Sequence, residues 1–97
     1  MGIGQERYQV TIPYRLELET RARKEFLDLP KEAARMLAAV LDDLCRNPRP
    51  PGSKKLLGIE GYRVRKGDYR VLYAVEDSRK IISVYRIGHR REVYRRK

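Results

Sequence analysis

The sequence predicts a two-layer α+β domain of order β-α-α-β-β-β, with a helical hairpin packed on one face of a small, mainly antiparallel sheet. Three observations predict it. Residues 14–18 alternate apolar and polar. Residues 20–44 carry apolar positions at helical spacing. Residues 62–87 hold three strand-like runs joined by short turns.

The elements follow in order. In Tyr14-Arg-Leu-Glu-Leu18, Leu16 and Leu18 fall on one side and Arg15 and Glu17 on the other, as in a half-buried strand. Thr20 is placed to cap a helix whose apolar positions are Ala22, Phe26 and Leu29. Pro30 ends that helix and suits the first turn of the next. There Leu37, Val40, Leu41 and Leu44 recur at i, i+3, i+4 and i+7. So little chain separates the two helices that they form a hairpin. Asn47–Ser53, rich in Pro, is a loop. Strand-like runs cover Tyr62–Lys66, Tyr69–Glu76 and Lys80–Ile87. Gly67-Asp68 joins the first two, with Gly where a type II′ turn needs positive φ. Asp77-Ser78-Arg79 joins the last two. Residues 1–13 read as an N-terminal extension and 14–97 as one domain. Tyr8, Val10 and Ile12 alternate and are candidates for a further edge strand.

Composition narrows the partners. Of the 97 residues, 23 are Lys or Arg and 13 are Asp or Glu, a net charge of +10. Residues 1–53 are almost balanced at +1, whereas residues 54–97 carry +9. Such asymmetry points to a polyanionic partner. Arg outnumbers Lys sixteen to seven, and the guanidinium fork suits phosphate oxygens, which favours nucleic acid over a membrane surface. No run reaches the roughly 18 apolar residues of a membrane span. The N-terminus has no apolar signal region, and the lone Cys45 cannot staple the chain to itself, so a cytoplasmic location is expected.

The turn sets a register. With Gly67 and Asp68 as loop residues, Lys66 faces Tyr69, Arg65 faces Arg70, Val64 faces Val71 and Tyr62 faces Tyr73. Arg63, Arg65 and Arg70 then share one face, while Tyr62, Val64, Val71 and Tyr73 share the other, against the helices. Two Arg directly across a ladder repel by a few tenths to about 1 kcal/mol. A phosphate between them in the working state explains the pair; side chains splayed into water explain it as well. Arg90, just past Gly88, is delivered at the end of the third strand.

One His, one Cys and scattered acids make no metal cage, and no cofactor is expected. No Gly-rich phosphate loop follows a strand, and a single His builds no Ser–His–Asp set. What remains is electrostatic: several guanidinium groups stabilising charge on a phosphorane-like transition state. Tyr94 is a candidate base, its phenolate favoured by nearby Arg, or else packs the tail onto the sheet. His89 is a second candidate for proton transfer, or else a surface turn residue.

Residues 14–96 resemble the RelE/ParE superfamily of bacterial toxins, closest to the RelE branch. The carrying segments are YRLELETRARKEFLDLP, PRPPGSKKLLG, YRVRKGDYRVLYAV and GHRREVYR, in that order. The resemblance implies the same fold and a toxin paired with a cognate antitoxin. It implies an endoribonuclease that enters the ribosomal A site and cuts mRNA without metal, by 2′-hydroxyl attack on the adjacent phosphate. The sibling ParE branch, which poisons DNA gyrase, is the alternative. Residue by residue, the resemblance gives Arg70 the phosphate and Arg90 the leaving group. It makes Tyr94 a general base or stacking surface, and it matches Arg63 and Arg65 to the basic pair before the turn. Arg65 is counted with the catalytic set. Arg63, Lys54, Lys55, His89, Arg91 and Arg95 are expected along the RNA path. Here the spacer between Arg90 and Tyr94 is short, and His89 stands where some members carry lysine.

Overall fold

The computed structural model describes residues 13–56 and 61–89. Its elements are β1 (Arg15–Leu18), α1 (Thr20–Leu27), α2 (Lys31–Arg46), β2 (Lys54–Lys55), β3 (Tyr62–Lys66), β4 (Tyr69–Glu76) and β5 (Ile81–His89). The strands form one sheet in the order β1-β5-β4-β3-β2. β1 runs parallel to β5, and every other pairing is antiparallel. This is the expected α+β architecture with one strand added. β2 falls in residues 54–61, for which the sequence pattern predicts no element; two lysines offer no alternation to read, and pairing of Lys54 with Arg63 and Lys55 with Tyr62 makes them an edge strand.

The helices form where their apolar stripes meet the sheet. Ala22 of α1 and Leu37, Leu41 and Leu44 of α2 are buried with Val71, Tyr73, Ile82, Val84 and Ile87 in one cluster. Phe26, Leu29, Leu16, Leu18, Tyr62 and Val64 pack against it. Burying each large side chain contributes about 1.5–3 kcal/mol, so this face holds most of the fold's stability. Thr20 is not the cap of α1. It is the first helical residue, and Glu19 precedes the helix without a side-chain cap. The Glu19 N–H is already committed to the Val84 carbonyl at 2.9 Å, so the helix starts where the chain leaves the sheet. Pro30 stands just ahead of α2 and its carbonyl accepts the Ala34 N–H at 2.9 Å.

The β3–β4 register is the expected one, pair for pair: Lys66 with Tyr69, Arg65 with Arg70, Val64 with Val71 and Tyr62 with Tyr73. Gly67 has φ +59, as the first central residue of a type II′ turn requires. β5 differs from expectation at both ends. Lys80 has φ +56 and closes the turn instead of opening the strand. At the other end the strand runs on through Gly88 and His89, which pair with Arg70 and Tyr69. His89 is therefore a strand residue, not a turn residue. The ladder also shifts register: Leu72 pairs with Arg86 and Tyr73 with Val84, so Tyr85 is an extra residue in β5.

The candidate residues Arg90, Arg91, Tyr94 and Arg95, and the alternation at Tyr8, Val10 and Ile12, lie outside the described residues.

Candidate nucleic-acid interface

The sheet turns one face to the helices and the other outward. Because partners across a ladder point the same way, the register sorts the basic residues. Arg65, Arg70 and Gly88 form one cross-strand row on the outward face. Lys54, Arg63, Leu72 and Arg86 form the next. Lys54, Arg63, Arg65 and Arg70 thus share one side of a small sheet, whereas the Arg86 guanidinium turns to Glu25 of α1. Lys55 does not join them. It pairs with Tyr62, whose ring stacks on core Tyr73, so it belongs to the helix side of the edge.

Arg70 is the centre of this face. It sits on β4, the middle strand of the five, and is only 7% exposed. Its Nε and Nη1 are buried and make no hydrogen bond. The ladder puts a second guanidinium, Arg65, on one flank and a residue without a side chain, Gly88, on the other. Among the described residues no carboxylate pairs with Arg70. Buried donors left unmatched destabilise a fold by about 1–3 kcal/mol, more when charged. The fold keeps Arg70 in place because its backbone is locked in the ladder on both sides. Arg63 is half-buried and Arg65 exposed. Beside them Pro51, Gly52, Lys54 and Val64 complete a shallow hollow of about 340 Å³.

Arg86 is the cation that the strand pattern missed. It is nearly buried and its Nε donates to Glu25 Oε2 at 3.0 Å. The other oxygen of Glu25 accepts the Ile87 N–H at 2.8 Å. One carboxylate on α1 thereby caps the edge of β5 beyond the end of β1 and holds the Arg86 guanidinium in the cleft beside α1. A signal was present: Val84 and Ile87 are both core residues but lie three apart, which strict alternation forbids and a bulge permits. His89 lies beside Tyr69, ring centroids 6.1 Å apart and nearly perpendicular. It lines a separate cleft of about 470 Å³ with Arg21, Asp28 and Leu29, so it faces away from Arg65.

At the opposite end of β3 and β4 the polar groups are fully matched. Arg49 Nη2 donates to Asp77 Oδ2 at 2.9 Å, and its Nε donates to the Tyr62 hydroxyl at 2.9 Å. Tyr14 donates its hydroxyl to Asp77 Oδ1 at 2.6 Å. The Arg49 hydrogen bond, and then that of Tyr14, hold the Asp77 carboxyl down at about 2. Burial pushes the Tyr73 phenol up to about 12, and it donates to the Pro48 carbonyl at 2.6 Å. Among the described residues no three His, Cys, Asp or Glu side chains come together as metal ligands. No helix there is long and apolar enough to cross a membrane.

What the outward face offers is a set of fixed guanidinium donors, one of them unmatched, which suits an anion. Solved structures of similar fold include bacterial and archaeal RelE toxins. Residues 16–94 match the family described as the ParE toxin of the type II toxin–antitoxin system parDE. The toxin RelG of Mycobacterium tuberculosis is 34% identical over 90 residues, spanning 88% of this chain and all of RelG. The fold superposes on the toxin–antitoxin complex RelBE2 of the same organism with a TM-score of 0.73 and 28% identity, over 81% of this chain and the whole of that one. It superposes on the isolated Escherichia coli RelE toxin with a TM-score of 0.70 and 28% identity, over 78% and 83% of the two chains. On sequence and fold together, the chain belongs to the RelE/ParE superfamily of type II toxins, on its RelE branch.

Proposed function

We propose that this toxin is a ribosome-dependent mRNA endoribonuclease. The observation that carries the reading is Arg70: a buried guanidinium with two unmatched donor atoms, set between a second arginine and a glycine. Such donors gain most when charge develops in front of them. In the proposed reaction the 2′-hydroxyl oxygen attacks the adjacent phosphorus while a base takes its proton. The bond from phosphorus to the 5′-oxygen breaks, and that oxygen takes up a proton. The products are a 2′,3′-cyclic phosphate and a 5′-hydroxyl. Arg70 and Arg65 stabilise the equatorial oxygens. Arg63 and Lys54 hold the neighbouring phosphate. Tyr94 is the proposed base or stacking surface and Arg90 the proposed leaving-group residue, with Arg91 and Arg95 extending the cationic path. His89 and Lys55 stand away from this track and are left out of it.

The neighbours RelBE2 and E. coli RelE are known as toxin–antitoxin complexes, which supports a cognate antitoxin for this chain. An acidic segment laid over the outward face would match its charge. The ParE description of the matching family supports a second reading, inhibition of DNA gyrase without cleavage.

Purified ribosomes, a programmed mRNA and the purified protein test the proposal. Cleavage within the A-site codon is expected, with no added metal. Intact message, together with gyrase-dependent DNA breaks in expressing cells and translation initially intact, would select the ParE reading.

A further inference from the structure

The loop after α2 is stiffer than a surface connection needs to be. Asn47 Oδ1 accepts the Arg49 N–H at 3.2 Å. Prolines at 48, 50 and 51 fix φ at three of the seven loop positions. The Pro50 carbonyl accepts the Ser53 N–H at 2.9 Å, with Gly52 at φ +95, as in a type II turn with Pro at its second position. Lys54 follows at once.

Side chains fasten this stiff piece at its Pro48–Arg49 end. Tyr73 holds the Pro48 carbonyl, and Arg49 makes a forked pair with Asp77, Nη2 to Oδ2 at 2.9 Å and Nη1 to Oδ1 at 3.3 Å. Tyr62 and Tyr14 add a hydrogen bond to each partner. At the other end Lys54 enters a strand of two residues, held only by backbone contacts: its pairing with β3 and the Leu56 N–H to the Gly61 carbonyl at 3.0 Å. Lys54 opposite Arg63 is thus held between this short strand and the anchor at Arg49. The anchor also neutralises Arg49, which keeps that cation out of the RNA path.

We propose that Arg49 and Asp77 are positioning residues: through the stiff loop between Arg49 and Lys54 their ion pair sets Lys54 on the row of Arg63, where it takes an RNA phosphate. The proposal rests on the RNA-cleaving reading. It concerns neither the scissile phosphate nor Arg70, and it gives Arg49 and Asp77 no contact with substrate.

The test is a cycle of Asp77→Asn, Lys54→Ala and the double variant in the full chain. The readouts are binding of a single-stranded RNA oligonucleotide across a salt series, and KM and kcat for cleavage on ribosomes. Lys54→Ala is expected to lower the salt slope of binding by about one, as for one lost phosphate contact. Asp77→Asn should lower it towards the same value and raise KM more than it lowers kcat. The double variant should bind no more weakly than Lys54→Ala alone, and Asp77→Glu should restore binding. Additive losses in the double variant, or Asp77→Asn binding as wild type does, would overturn the proposal. If Asp77→Asn is unfolded by circular dichroism, Arg49→Lys, which keeps the charge and loses the fork, replaces it in the same cycle with the same expected outcomes. Wild type that neither binds RNA nor cleaves would instead bring down the functional reading beneath it.

Discussion

The two faces of β4 differ in how they use the same backbone. On the helix side Val71 and Tyr73 are fully buried, and Tyr73 has its hydroxyl matched to a carbonyl. On the other side, one residue away, Arg70 is almost as deeply buried but has two donor atoms unmatched. A second guanidinium, Arg65, stands opposite. The helix side is arranged as a core. The outward side gives up stability that a hydrophobic residue in the same place would supply. Unmatched donors and a like-charge pair on one face, with the other face satisfied, fit the anion-binding role proposed for the outward side.

Substitutions break or sharpen the contrast in order of expected size. Leu37→Ala opens the core beneath the helix side and should destabilise the fold by about 2–5 kcal/mol in urea denaturation. At nonpermissive temperature it abolishes activity only by unfolding the protein. Tyr73→Phe leaves the Pro48 carbonyl without its donor and should cost about 1 kcal/mol. Its RNA affinity should fall no further than that of Lys54→Ala, because it loosens the same loop. Arg65→Glu replaces a like-charge cross-strand pair with an opposite one and should stabilise by a few tenths to about 1 kcal/mol. The same change should abolish cleavage. Loss of stability in Arg65→Glu would mean that the two arginines are not in conflict.

The outline of the fold was legible because short turns leave few choices. A two-residue loop at Gly67-Asp68 determines which residue faces which, and all four stated pairs are the observed ones. From that register the outward grouping of Arg63, Arg65 and Arg70 follows without any side-chain coordinates. The misreadings have local causes. β2 is too short to show a period. The bulge at Tyr85 is visible only as the odd spacing of Val84 and Ile87, and missing it hid the pairing of Arg86 with Leu72. His89 passed for a turn residue because Gly88 beside it suggested a break, whereas the glycine pairs directly with Arg70. The Arg49–Asp77 anchor joins residues 28 apart through side chains alone, and no periodicity records such a contact.

The most direct measurement is a paired one on Arg70→Leu: its melting temperature and its cleavage of mRNA on ribosomes. The account predicts that stability rises by about 1–3 kcal/mol, with each kcal/mol worth about 4–8 °C in a domain of this size, while cleavage is lost. A variant that melts lower than wild type and still cuts the message would contradict it.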